Sequence, residues 1–287
     1  MKKLFVMILA LAALTACEKP FAEQEEVREE GANVTIRVTA LEQIPFETTT
    51  RAAEPIDQLC SHLQFVLYNG DTKVKTVSQS ATDSGFGNVS MALSEGTYQL
   101  VVLAHSCDGV ATISSPEKIT FPNNRVSDTF YYYGTLTVGS EPQTYDLQLS
   151  RCVAMFRLII TDDIPSDVSS FKFYYTGGSS TFSATAGYGC VNSRQTVTLT
   201  ASASQKTYEV YTLPKAETGT LKMTVTALDA SGNTVAEQVF EDVPVTVNQI
   251  TQYQGAFFSS GGGSADSKSS WNLTADGEWA SESEYAY

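Results

Sequence analysis

Residues Thr144–Asp163 read TYDLQLSRCVAMFRLIITDD, and their phase decides the fold. Apolar side chains fall first on Tyr145, Leu147 and Leu149, then on Cys152, Ala154, Phe156, Leu158 and Ile160. Each set alternates with period two, the mark of a strand that buries one face. Between them, at Ser150-Arg151, the phase slips by one. A single extra residue moves every following side chain to the opposite face. The slip is therefore a bulge, or a strand leaving one core and entering another. Comparable lengths of chain lie on either side, which favours the second meaning. It sets a boundary between one domain over residues 32–150 and another over 151–287.

The same pattern extends outward in both directions. Val34, Ile36 and Val38 share one face, with Thr35, Arg37 and Thr39 on the other. EQIPFETTTRAAEP, residues 42–55, then reads as a loop. HLQFVLYN, GTYQLVVLAHS, DTFYYYGTLTVG, SSFKFYYT, QTVTLTAS, TYEVYTLP and VPVTVNQITQY are rich in Val, Thr, Tyr and Phe, as strands prefer. LDASGN before TVAEQVF is a hairpin signal. No long stretch carries apolar residues at spacings of three and four, so helices are minor. The expected class is all-β, with two antiparallel β-sandwich domains in tandem. SSGGGSADSKSS at 259–270 is a flexible linker to a final aromatic segment that holds Trp271 and Trp279.

The amino terminus is of a different kind. Lys2 and Lys3 precede an uncharged apolar run, Leu4 to Ala16, too short to span a bilayer as a helix. This is the form of a secretory signal, here residues 1–16. The run ends in Leu14-Thr15-Ala16-Cys17, which resembles a bacterial lipobox, whose cysteine is acylated after the signal is cut away. Cys17 is thus the candidate lipidation site, and residues 17–31 form an acidic tether. The chain of 287 residues has a formal charge of −14, from 18 basic and 32 acidic residues. A phosphate backbone would repel it, which excludes nucleic acid as the expected partner.

Motifs for chemistry are scarce. There are two histidines, and no phosphate loop, nucleophile elbow or zinc-protease helix. Asp162-Asp163 end a strand before Ile164-Pro165, where a turn role fits aspartate better than paired-acid catalysis. The expectation is a chain that is not an enzyme and needs no cofactor. Cys60-Ser61-His62 mirrors His105-Ser106-Cys107. Residues i and i+2 of a strand share a face, so Cys60, His62, His105 and Cys107 form a candidate zinc set. The alternative is a Cys60–Cys107 disulfide with incidental histidines, favoured outside the cytoplasm. Together with Cys152 and Cys190, four cysteines allow three pairings. Tyr131, Tyr132 and Tyr133 cannot all be buried on one strand face, so at least one is expected at the surface.

Several of these segments, in this order, resemble one family. LSRCVAMFRLIITDDIP, CSHLQFVLYN, GTYQLVVLAHS, GYGC with VNSRQ, and VNQITQYQGAFF resemble segments of FimB-type fimbrial anchor proteins, relatives of the fimbrillins of Bacteroidales. The resemblance runs from about Ala32 to Phe258. It implies transthyretin-like sandwiches on a lipoprotein of the cell outer membrane, exposed at the surface. It implies partners that are other fimbrial subunits, joined by strand complementation, and no catalytic residues. In stalk relatives an arginine-specific protease cuts beyond the first strand, and Arg51 stands at that position here. Three readings follow: an anchor or accessory subunit that keeps Cys17, a stalk or tip subunit cut after Arg51, and a surface lipoprotein that binds host or bacterial glycans through Tyr131–Tyr133 or the tryptophans.

Overall fold

The computed structural model describes residues 29–42, 56–259 and 272–276. Cys17, Arg51, Trp271 and Trp279 lie outside them. The regular structure of the described chain is almost all strand, with one short α-helix, α1 (Ile56–Leu59), and one 3-10 turn at Pro122–Asn124. In the first half run β1 (Val34–Leu41), β2 (His62–Asn69), β3 (Thr72–Ser80), β4 (Asn88–Met91), β5 (Gly96–His105), β6 (Thr112–Ser115), β7 (Lys118–Thr120), β8 (Thr129–Val138) and β9 (Gln143–Arg151). The second half holds β10 (Ala154–Ile160), β11 (Val168–Thr176), β12 (Thr181–Ser183), β13 (Tyr188–Gly189), β14 (Gln195–Thr200), β15 (Thr207–Thr212), β16 (Thr218–Asp229), β17 (Thr234–Thr246), β18 (Ile250–Gly255) and β19 (Asn272–Asp276).

The two halves repeat one strand order. β1 pairs antiparallel with β4 and parallel with β9, and β10 pairs antiparallel with β15 and parallel with β18. β2 lies between β3 and β5, as β11 lies between β14 and β16. β8 flanks β5, as β17 flanks β16. In each half the two layers enclose an apolar core. Val34, Ile36, Phe65, Val102, Phe130 and Leu149 belong to the first, and Phe156, Phe171, Phe173, Met223 and Phe240 to the second. The phase slip lies where the chain passes between them. Leu147 and Leu149 face the first core, Cys152 and Val153 a layer between the halves, and Ala154, Phe156 and Leu158 the second core.

That middle layer explains a departure from simple alternation. Each half carries an inserted hairpin, β6–β7 and β12–β13, and the two hairpins meet as one sheet in the order β13-β12-β7-β6. Ile119 pairs with Phe182 across the join. The layer covers the outer face of β2 and β5, so both strands are buried on both sides. Leu63, Phe65 and Leu67 point to the first core, while Val66 and Tyr68 point to the middle layer. This is why Phe65–Tyr68 in HLQFVLYN is a continuous apolar run rather than an alternating one.

Turn chemistry is local. β2 and β3 are joined by Gly70-Asp71, and Gly70 adopts φ +56°, a left-handed conformation that a residue without Cβ takes without penalty. At the β16–β17 turn, Asp229 accepts hydrogen bonds from the backbone N–H groups of Ser231 and Asn233 at 2.9 and 2.8 Å, the local bonding that makes LDASGN a turn. Where the chain crosses between halves, Arg151 is 7% exposed. Its Nε and one Nη donate to Asp128 at 2.8 and 3.1 Å, its other Nη donates to Asn248 Oδ1 at 2.8 Å, and its guanidinium lies 4.6 Å from the Phe130 ring centre.

Phe182 is fully buried and meets Tyr131 edge-on at 4.8 Å, so it ties the inserted hairpin of one half to β8 of the other. Phe182→Ala should cost about 3–5 kcal/mol and split thermal unfolding into two steps. Calorimetry that gave one transition at the original midpoint would contradict this coupling.

Candidate functional site: the first strand and the groove that holds it

β1 is eight residues long and is held on both edges by segments distant in sequence. Val34, Ile36, Val38 and Leu41 are buried in the first core, and the intervening residues turn outward. On one edge it pairs with β4, from Val34 opposite Met91 to Arg37 opposite Asn88, and Thr35 Oγ1 shares a hydrogen bond with Ser90 Oγ at 2.9 Å. On the other it runs parallel to β9, and the Glu42 N–H donates to the Leu149 carbonyl at 2.7 Å. Asn33 fixes the entry: its side-chain amide donates to the Leu93 carbonyl at 2.9 Å and accepts from the Leu93 N–H at 2.9 Å.

The four buried aliphatic side chains are worth on the order of 6–12 kcal/mol of transfer free energy, at roughly 1.5–3 each. That is comparable to the whole net stability of an ordinary domain. Removing β1 would open an apolar groove and leave the facing edges of β4 and β9 without backbone partners. In sequence β1 lies between Cys17 and Arg51. A cut after Arg51 would therefore separate β1, together with Cys17, from the rest of the chain.

The cysteine–histidine constellation is built differently from the sequence expectation. His62 and His105 are opposite one another on β2 and β5, with ring centres 5.2 Å apart. Cys60, however, precedes β2, where strand periodicity does not apply. Its side chain belongs to the first core, whereas Cys107 packs in the middle layer. The sheet thus stands between the two thiols. Cys60 Sγ donates to the Ile56 carbonyl at 3.2 Å, and Cys107 Sγ to the Arg125 carbonyl at 3.1 Å. Cys152 lies against the Thr129 carbonyl and Cys190 against that of Glu117, and all four are free thiols in the structure. Among the described residues, no three His, Cys, Asp or Glu side chains are grouped to hold a metal ion.

Burial pushes the Cys60 thiol up to about 12, with Asp128 and Asp57 adding to it. It raises Cys107, Cys152 and Cys190 as well. These sulfurs stay protonated at neutral pH, and a thiol is a poor nucleophile and a poor metal ligand.

Tyr131, Tyr132 and Tyr133 are all half-buried, none fully exposed. Tyr132 packs on the first core, and Tyr131 and Tyr133 on the middle layer. Both faces of β8 are covered here, which a single strand pattern cannot reveal. Asp162 holds the segment that follows β18. Its carboxylate accepts from the backbone N–H groups of Phe257, Phe258 and Ser259 at 2.8, 2.7 and 2.8 Å. Burial pushes this carboxyl up, but those N–H groups outweigh it and the net shift is downward.

The comparisons place the chain in a family. Residues 24–285 match the model of a family of unknown function, DUF6562. The chain belongs to DUF6562. No curated protein matches it. Among solved structures, this DUF6562 chain is similar to a DUF1812 protein of Bacteroides thetaiotaomicron, described as a candidate polysaccharide-binding protein, with 10% identity, coverage of 78% of this chain and 92% of that one, and a TM-score of 0.48. It is also similar to the tip fimbrial protein Mfa3 of Porphyromonas gingivalis, at 10% identity, 84% and 98% coverage and TM-score 0.43. A third is the fimbrial anchor protein Mfa2 of the same organism, at 7% identity, 77% and 89% coverage and TM-score 0.40. At these identities and scores the likeness carries no function across to this chain.

His105 gives the DUF6562 fold a pH dependence. It is fully buried, and both ring nitrogens face backbone N–H donors, Cys107 at 3.2 Å and Ala111 at 3.3 Å. Burial, then the neighbouring His62, lowers its pKa from 6.5 to about 4. The unfolded chain therefore takes up a proton that the folded chain refuses between those values. The associated stability is complete above about pH 6.5 and is lost as pH falls towards 4, by up to on the order of 3 kcal/mol. Urea midpoints measured from pH 7 to 4.5 should fall, and His105→Asn should flatten that slope. An equally steep slope in the variant would contradict the assignment.

Proposed function

We propose that this protein is a lipid-anchored structural subunit of a fimbria-type surface fibre, acting as an anchor or accessory subunit at the outer membrane. The observation that carries the reading is β1. It lies between Cys17 and Arg51 in sequence, and its buried residues fill the groove between β4 and β9. While leader and strand stay attached, the first core is complete and the lipid holds the fold at the membrane. A strand edge elsewhere on the protein then meets the neighbouring subunit by backbone hydrogen bonds and apolar side chains. The partners are other fimbrial subunits and, through Cys17, the lipid bilayer. A structural rather than catalytic role is supported by the three buried thiols, Cys60, Cys107 and Cys152, all with raised pKa values, and by the neutral, buried His105. The resemblance of the segments around Cys60, Gly96, Leu149 and Val247 to fimbrial anchor proteins supports the same reading.

The competing reading rests on Arg51. If a protease cuts there, Cys17 and β1 leave together, the groove opens, and the protein becomes a polymerising stalk or tip subunit. Mass measurement of the cell-derived protein separates the two. An anchor predicts a membrane-bound form beginning at acylated Cys17, released into the soluble fraction by Cys17→Ala. A soluble form beginning at Ala52 would replace the anchor with the stalk or tip.

A further inference from the structure

An open cleft of about 340 Å³ lies where the chain crosses between the halves. Tyr131 of β8, Tyr188 of β13, Asn248 from the β17–β18 turn, Glu217 before β16, and Glu42 after β1 line it beside Arg151. Its polar groups are short of partners. Asn248 is 7% exposed, and its Oδ1 is taken by Arg151 at 2.8 Å. Its Nδ2 has no hydrogen bond among the described residues, yet that atom is not sealed from solvent. The Tyr131 and Tyr188 hydroxyls and the Glu217 carboxylate likewise find no partner there. Glu42 commits one oxygen to the Arg151 N–H at 3.2 Å and leaves the other. Water reaches that donor in the open cleft, and a ligand that replaces the water can accept its hydrogen bond.

The walls are held in place. The Tyr131 ring rests edge-on against Phe182 at 4.8 Å. Gly187, at φ +78°, clears room for the Tyr131 hydroxyl, which would stand 2.5 Å from a Cβ built there. Asn248 itself has φ +59°, a conformation glycine would adopt more cheaply. Asparagine at this turn accepts the backbone cost and carries its amide to the cleft.

Two aromatic rings, an idle amide donor, two hydroxyls and two carboxylates with free oxygens match a molecule that is apolar on its ring faces and both donor and acceptor around its rim. Arg151 adds little positive charge, since Asp128 already pairs with it. The two glutamates then oppose anionic ligands. The volume is at the lower end of small-ligand sites, which start at roughly 300 Å³. We propose that this cleft binds a neutral saccharide of one or two rings. The site is independent of the fimbrial reading, because it needs neither lipid nor strand exchange.

Titration calorimetry and saturation-transfer NMR on the full chain, with lactose, maltose, cellobiose and N,N′-diacetylchitobiose as probes and digalacturonate as the charged comparator, test it. At least one neutral disaccharide should bind with a dissociation constant of roughly millimolar or below. Tyr188→Ala and Glu217→Gln should each weaken binding tenfold or more. Glu217 is exposed, so its variant keeps the fold, and an unchanged thermal midpoint checks that. Digalacturonate should not bind. Absence of binding by all four neutral probes, binding unaffected by both variants, or equal binding of digalacturonate would each overturn the proposal.

Discussion

A strand inside a sheet needs backbone partners on both edges, and β1 obtains them from β4 and β9, segments more than fifty and more than a hundred residues away respectively. The first core depends on that insertion. Without β1, β4 keeps no described sheet partner, and β9 is left with its two-residue pairing to β8. The second half solves the same problem with β10, which follows directly from β9. The same strand order thus has different consequences in the two halves. In one, the key strand lies inside the chain. In the other, it lies between Cys17 and Arg51 in sequence.

The middle layer couples the halves. The inserted hairpins meet through Ile119 and Phe182, and Arg151 bonds to Asp128 from the first half and Asn248 from the second. Burial pushes the Asp128 carboxyl up while Arg151 pulls it down. A buried ion pair of this kind fixes geometry more than it adds stability, since desolvation offsets much of the attraction. The geometry it fixes is the crossing point, and the cleft lined by Tyr131 and Tyr188 is a by-product of that crossing.

Strands with one covered face were legible in the sequence. Val34–Thr39 and Tyr145–Leu149 alternate because one side meets a core and the other meets water. The slip at Ser150-Arg151 was visible because period two makes a single extra residue conspicuous. Strands covered on both faces hid their surroundings. Nothing in HLQFVLYN or FYYYG says that a hairpin from elsewhere covers the second face, and so the tyrosines read as partly exposed. The inserted hairpins themselves are two to four residues per strand, too short to carry a pattern. The i, i+2 argument for Cys60 failed for a related reason. It assumes strand geometry, and Cys60 sits in the turn between α1 and β2, so its thiol points to the other side of the sheet from Cys107. The cleft as a whole was not legible in the sequence, which singled out only Tyr131 for such a role, because its residues come from six separate segments.

The central claim is that β1 completes the first core and that its groove stays formed only while a strand occupies it. Hydrogen exchange on the chain lacking residues 1–51, with and without a synthetic peptide of residues 32–42, tests this most directly. The account predicts rapid exchange along β4 and β9 in the shortened chain, restored protection when the peptide is added, and little change in β16 and β17. Full protection of β9 in the shortened chain without peptide would contradict it.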